Sequence, residues 1–178
     1  KFTLLFMEST PQKVVIIPAR LASSRLPNKV VLDLGGKPII QRVYEQACKA
    51  KKIHKVYIAT DSDEVARICH KFTDYVIMTR ADHPTGTDRI AEAIGKITAD
   101  IVINVQGDEP FIDPAVIDQL ADRIEKTEVP MATVASRIML VEDLMNPNIV
   151  KVTLDKQGKA LYFSRSVIPF AREVSWQE

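Results

Sequence analysis

Three cations and two hydroxyls fall within ten residues of one another: Arg20, Ser23, Ser24, Arg25 and Lys29. They follow Val14-Val15-Ile16-Ile17, a β-branched run of the kind that forms a strand buried on both faces in the middle of a parallel sheet. Pro18, which has no N–H for a ladder, closes that run. Ligands of open α/β sheets bind at the carboxyl ends of such strands, so a polyphosphate suits this loop. Read without a ligand, the same residues make a solvated basic turn. A second chemical group is Asp108-Glu109, inside Gln106-Gly107-Asp108-Glu109-Pro110 and directly after the apolar run Ile101–Val105. Two acids at the same end of the sheet suit a divalent cation, because Mg²⁺ takes one or two carboxylates together with substrate phosphates. A plain turn capping the next helix is the other reading. It is weakened because Asp113-Pro114 already supplies a cap and a first-turn proline. A third polar stretch, Thr79 to Arg89, holds His83 and Thr85-Gly86-Thr87. At a helix start these offer free backbone N–H groups to an anion or a base edge, although either threonine could simply be the N-cap.

The elements that must carry these loops follow from periodicity. Apolar residues recur at three- and four-residue steps over Ile39–Cys48, Val65–Phe72, Ile90–Ile97 and Val116–Ile124, which predicts four helices. Lys55–Thr60, Asp74–Met78, Ile101–Val105 and Met131–Ile138 read as further strands. Asp61 or Ser62 should cap the second helix. Gly35-Gly36-Lys37-Pro38 lacks the P-loop spacing, so its glycines are expected to make a turn and Pro38 to open a helix. Near the end, Ile149–Leu154 and Ala160–Ser164 flank Asp155-Lys156-Gln157-Gly158-Lys159. That is a β-hairpin adding antiparallel strands to the sheet. The fold class is therefore α/β, a doubly wound and mostly parallel sheet with an antiparallel hairpin near the C-terminal end.

Composition narrows the partners. The 178 residues are 46% hydrophobic and 26% charged, enough to bury a core, and a net charge of +1 gives no global field for nucleic acid or a membrane surface. No apolar run approaches the ~20 residues of a membrane span. Cys48 and Cys69, on apolar helix faces, are expected to be buried free thiols, as in a reducing cytoplasm. The stretch Phe2–Phe6 is too short for a signal peptide. Residues 1–12 are read as a tag or disordered extension and 13–178 as one nucleotide-binding α/β domain. The first βα turn lacks G-x-G-x-x-G, which argues against an NAD-type site.

Taken together, several blocks resemble the 3-deoxy-manno-octulosonate (Kdo) cytidylyltransferases. They are Ile16-Ile17-Pro18-Ala19-Arg20 with Ser23, Arg25-Leu26-Pro27 and Lys29; Gly36-Lys37-Pro38; and Ala59-Thr60-Asp61. Met78–His83, Gly86–Arg89 and Asn104–Pro110 continue the match, followed by Asn146-Pro147-Asn148, Val150-Lys151-Val152 and Ala160–Ser166 with Ile168-Pro169. The first loop is shared with other sugar nucleotidyltransferases, including CMP-sialic acid synthetases. The Gln-Gly-Asp-Glu-Pro and Tyr-Phe-Ser-Arg blocks are more specific to the Kdo enzymes. The resemblance implies a nucleotidyltransferase-type fold and Mg²⁺-dependent transfer of CMP from CTP to Kdo for lipopolysaccharide or related polysaccharide synthesis, in the cytoplasm. It implies no nucleic-acid partner, no membrane insertion, and a homodimer for the full-length protein.

By position, the resemblance makes Arg20, Lys29 and Asp108 the catalytic group, with Asp108 on the metal. Ala19, Arg20, Ser23, Arg25, Lys29, His83, Gly86 and Gln106 meet the nucleotide, and Gln106 and Arg165 the sugar acid. It also implies that the family continues past Glu178 into a part carrying a second metal-binding aspartate, more of the sugar pocket and dimer-interface elements. Asp88 stands where many members carry glutamate, and Val30-Val31 where Pro-Leu is commoner. A CMP-sialic acid type enzyme and a non-catalytic CTP-binding fragment are the alternative readings.

Overall fold

The structure, a computed structural model, describes residues 10–21, 28–127, 129–170 and 172. The chain divides into two compact units, Lys1–Ala132 and Thr133–Glu178.

In the first unit, β1 (Lys13–Ala19), β2 (Lys55–Thr60), β3 (Val76–Met78) and β4 (Ile101–Asn104) form one parallel sheet in the order β3-β2-β1-β4. β1 lies between two neighbours and all seven of its residues are buried. Its side chains alternate between faces, as strand geometry requires. Val15, Ile17 and Ala19 pack with Ile40, Val43 and Ala47 of α1 (Ile39–Ala47), Val65 and Cys69 of α2 (Asp63–Cys69), and Ile117 and Ala121 of α4 (Pro114–Glu125). Val14 and Ile16 face the other way, onto Ile90 and Ala93 of α3 (Gly86–Ile94). Helices therefore cover both faces, which is the expected doubly wound arrangement. At roughly 25 cal/mol per Å² of apolar surface buried, this two-sided core is the dominant favourable contribution to the fold.

The helix starts follow their caps. Ser62 accepts from the Val65 N–H at 3.3 Å, and Asp113 accepts from the Ala115 N–H at 2.9 Å with Pro114 in the first turn. Thr85 and Asp88 form a reciprocal capping box at the start of α3. The Gly35-Gly36 turn carries φ of +63° and +83°, conformations only glycine adopts freely, and Lys37 is tied to Glu45 at 2.6 Å. It is a structural turn, as expected. The anticipated N-terminal extension lies outside the described residues up to residue 9. The Gln12 backbone is already bound into the sheet edge, its N–H on Asp100 Oδ2 at 2.7 Å.

The second unit holds α5 (Val141–Met145) and the hairpin of β5 (Lys151–Leu154) and β6 (Ala160–Ser164). Asp155 organises the turn by accepting the backbone N–H groups of Gln157 and Lys159, and Gly158 sits at φ +80°.

Three expectations change. β5 and β6 pair with each other as a separate two-stranded sheet and add no strand to the parallel one. Residues 131–138 are not a strand. Their Thr, Val and Ile suit a strand, but no ladder partner pairs with them among the described residues, and Met131 and Val134 are exposed. Cys48, finally, is exposed at the C-cap of α1. Ile40, Val43 and Ala47 hold the inner stripe of that helix, and the next residue, about 100° further round, turns outward. Both cysteines are free thiols, and burial pushes the Cys69 thiol up to about 12.

Candidate functional site

The strand order supplies the location. β1, β2 and β3 progress in one direction, and β4 returns to the other side of β1. The chain thus diverges to opposite sides at the carboxyl ends of β1 and β4, the topological switch point where doubly wound sheets leave a crevice. The chain leaves the sheet there at Arg20 and again at Val105, and the stretch Thr79–Arg89 follows β3 at the carboxyl ends of the same parallel strands.

Lys29, in a single 3-10 turn (Lys29–Val31), places its Nζ 2.7 Å from Asp108 Oδ2 in the loop after β4. Both side chains remain over a third exposed, so the ion pair is open to solvent and to ligands. Gly107 makes this approach possible. A Cβ there would stand 2.9 Å from the Pro18 carbonyl oxygen and 3.4 Å from Val30, so only glycine lets the acidic loop close against the end of β1. Beside Asp108, the Glu109 carboxyl is raised above its ordinary value by burial and by the neighbouring Asp108 charge. Asp108, Glu109, Pro110, Phe111 and Ile112 line an open groove of about 360 Å³.

Arg20 leaves β1 after the buried Ala19. Its Nη1 donates to the Pro84 carbonyl at 3.2 Å, while its Nη2 is buried with no hydrogen-bond partner among the described residues. Gly86 begins α3 with its Cα against Pro18, where a Cβ would come within 3.3 Å of the proline ring. Asp88 is held below the usual carboxylate range by the Thr85 hydroxyl, with the Thr85 N–H and the charges of His83 and Arg20 adding to this. Gln106 Nε2 donates to Asn104 Oδ1 at 2.9 Å. The His83 ring is largely buried, its Nε2 2.6 Å from Glu92 Oε2.

Thus Arg20 and His83 gather around the start of α3, and Lys29 and Asp108 meet across the switch point. Ser23 and Arg25 lie outside the described residues. Arg165 belongs to the second unit, where its Nη1 donates to the Pro147 carbonyl at 3.0 Å. Beneath it, the buried Lys151 ammonium donates to the carbonyls of Asn146 and Arg165. Among the described residues no three His, Cys, Asp or Glu side chains come together as a metal cage.

Sequence reasoning passed over Arg89 and Glu92 as site residues. Arg89 is fully buried, with Nη1 donating to Thr79 Oγ1 and to the Arg80 carbonyl and Nη2 3.1 Å from Asp61 Oδ2. Its legible signal is a charge within the predicted inner stripe of α3, next to Ile90 and one turn before Ala93.

A doubly wound sheet with cations and a carboxylate at its switch point defines a nucleotide-handling α/β protein. The chain matches the family described as Cytidylyltransferase over residues 14–176, and it belongs to that family. It is 49% identical over 164 residues to the 3-deoxy-manno-octulosonate cytidylyltransferase of Geobacter sulfurreducens, covering 92% of this chain and 65% of that protein. To the protein of the same name from Trichlorobacter lovleyi it is 48% identical over 168 residues, 94% of this chain and 66% of that one. A solved CMP:2-keto-3-deoxy-manno-octonic acid synthetase complexed with CTP superposes with a TM-score of 0.83 at 42% identity, covering 91% of this chain and 67% of that one. The resemblance drawn from the motifs is thereby borne out. The chain spans about two thirds of the length of the curated relatives it matches, 65% and 66% for these two.

Proposed function

We propose that the protein, at full length, transfers CMP from CTP to the anomeric hydroxyl of Kdo and releases pyrophosphate, supplying lipopolysaccharide or related polysaccharide synthesis. The observation that carries this reading is the Lys29–Asp108 pair at the switch point, in a chain 42% identical to a synthetase solved with CTP. Attack of the anomeric oxygen on the α-phosphorus breaks the bond to the bridging oxygen of the β-phosphate, and negative charge grows on the departing pyrophosphate. Fixed cations in a partly water-excluded site stabilise such charge. Arg20 and Lys29 supply two of them, with Ser23 and Arg25 assigned beside them by position. Gly86, at the open N-terminus of α3, offers backbone N–H groups to the nucleotide. Positioning and electrostatics suffice for phosphoryl-type chemistry, so no covalent nucleophile is required.

The donor set fits Mg²⁺ held by one protein carboxylate and completed by substrate phosphates, with Asp108 as that ligand. When bound, the ion would neutralise phosphate charge and orient the triphosphate. In the 2.7 Å pair the Lys29 ammonium neutralises Asp108, and a triphosphate that drew Lys29 towards its own oxygens would free that carboxylate for the ion. Gln106 is assigned to nucleotide and sugar acid. Arg165 is assigned to the Kdo carboxylate, which its planar guanidinium can bind through two parallel N–H groups. His83 is assigned to the nucleotide through its loop. A cytoplasmic location, a homodimer and the absence of a nucleic-acid partner belong to the same reading. The last of these is supported by a net charge of +1, which gives no global field for a polyanion. Among the described residues no helix is long and apolar enough to cross a membrane.

The test is pyrophosphate release from CTP and Mg²⁺ by the full-length protein, with Kdo and sialic acid offered in parallel. Kdo-dependent release is expected. Release with sialic acid alone would move the substrate assignment to the CMP-sialic acid class. CTP binding without release with either acceptor would replace the enzyme by a binding module. In the same assay, Arg165→Ala should raise the acceptor KM and leave CTP binding unchanged; an unaltered acceptor KM would remove Arg165 from the sugar pocket.

A further inference from the structure

A layer of polar contacts behind the site is not used by the reaction itself. Arg89 and Glu92 stand one turn apart on α3, and both reach the loop 79–84. Glu92 accepts the Arg80 backbone N–H at 2.9 Å, and Arg89 Nη1 donates to the Arg80 carbonyl at 3.3 Å, so the helix holds both polar groups of one loop residue. The grip extends in both directions. Arg89 also binds Thr79 Oγ1 and pairs with Asp61 at the end of β2, while Glu92 accepts from His83 at 2.6 Å and from Lys96 at 2.8 Å. At its far end the loop presents the Pro84 carbonyl, which receives Arg20 Nη1 at 3.2 Å.

A fully buried guanidinium is costly. Replacing such an ion pair by apolar groups often stabilises a fold, so its presence is poorly explained by stability alone. The loop it secures ends on Arg20, whose Nη2 is buried and has no hydrogen-bond partner among the described residues. A buried charged donor without a partner is destabilising, and that cost is recovered when an anion accepts from it.

We propose that Arg89 and Glu92 are positioning residues for Arg20: they fix the loop 79–84 so that the Pro84 carbonyl holds one edge of the guanidinium and its buried Nη2 is aimed at a phosphate oxygen. This rests on the reading of Arg20 as a triphosphate ligand. His83, with its ring committed to Glu92, contributes to the same lock.

The experiment is a double-substitution cycle on CTP affinity in Mg²⁺, with thermal stability measured alongside. Glu92→Gln keeps the side-chain shape and one acceptor while removing the charge. It should weaken CTP roughly tenfold, the scale seen when a group orienting a ligand-holding side chain is lost. With Arg20 already replaced by alanine, it should cost less than about twofold, because the two act in series. An equal loss in both backgrounds would make Glu92 merely structural and overturn the proposal. Glu92→Asp, which keeps the charge but draws the carboxylate back from the Arg80 N–H, replaces Glu92→Gln in the cycle if that variant fails to fold. The second readout is the Arg20 Nε–H resonance of the nucleotide-free protein. It should shift in Glu92→Gln, and an unmoved resonance contradicts the positioning role. Failure of the unsubstituted protein to bind CTP would refute the phosphate reading of Arg20, and the resonance would still decide whether Glu92 orients it.

Discussion

The two compact units of this chain treat their apolar residues in opposite ways. In Lys1–Ala132, every residue of β1 is buried and helices close both faces of the sheet. In Thr133–Glu178, the one residue buried among those described is Lys151, and Leu161, Tyr162 and Phe163 of β6 are more than half exposed. A sheet strand covered on two sides is specified by its own sequence, since β-branched runs have no other stable place to go. A two-stranded hairpin has no such cover and is marginal alone. The phosphate-binding chemistry proposed here sits on the first kind of support. Arg165 sits on the second, held by carbonyl contacts at a turn.

The largest effect that would break this comparison is in the core. Ile17→Ala, at a fully buried position in the middle of the sheet, should cost about 2–5 kcal/mol through lost burial and the cavity left behind. Leu161→Ala, at a position 65% exposed, should stay within about 0.5 kcal/mol. Urea unfolding, followed by amide exchange in each unit separately, reads both. Similar losses at the two sites would mean that β6 is buried in solution.

Next in size is the switch-point pair. Lys29→Met should lower turnover of the full-length protein by roughly a hundredfold, as loss of one charge-stabilising donor does. Stability should change by less than about 1 kcal/mol, because an exposed ion pair contributes little. Mn²⁺ binding to the nucleotide-free protein, followed by electron paramagnetic resonance, should tighten as Asp108 is released. Weaker Mn²⁺ binding would show that Asp108 is not the carboxylate concerned.

A smaller effect is predicted for pH. Glu92 is held at about 2 rather than 4.5, first by the Lys96 ammonium, then by the Arg80 N–H and His83. The folded value lies below the unfolded one, so its contribution to stability is present above about pH 4.5 and is lost as pH falls towards 2. Glu92→Gln should flatten the dependence of stability on pH in that window; an unchanged slope would mean that the carboxylate is not paired. Smallest of all is a labelling difference. A thiol reagent should modify Cys48 in the folded protein and reach Cys69 only on unfolding. Modification of both at equal rates would deny the burial of α2.

Much of the first unit was legible because its signals are local. Val14–Ile17, the helical stripes and the caps at Ser62 and Asp113 each predict their element from neighbours in sequence. The loops of the site were legible for the same reason: they follow buried strands. What escaped is non-local. Residues 131–138 hold β-branched residues as a strand does, but a ladder needs a partner that the segment itself does not name. The Arg89–Asp61 pair joins two helix starts that only the parallel crossovers bring together. The sequence presents Lys29 and Asp108 only as separate ligands of phosphate and metal. Their neutralising each other across 79 residues depends on the glycine that lets the loop approach Pro18.

The most direct test of the central claim is calorimetric titration of this chain with CTP in Mg²⁺, repeated for Arg20→Ala and Lys29→Met. CTP should bind, and each substitution should weaken it by roughly tenfold, the scale of losing one charge-assisted contact to phosphate. Binding that neither substitution alters would place the nucleotide elsewhere and contradict the assignment of the switch point as the triphosphate site.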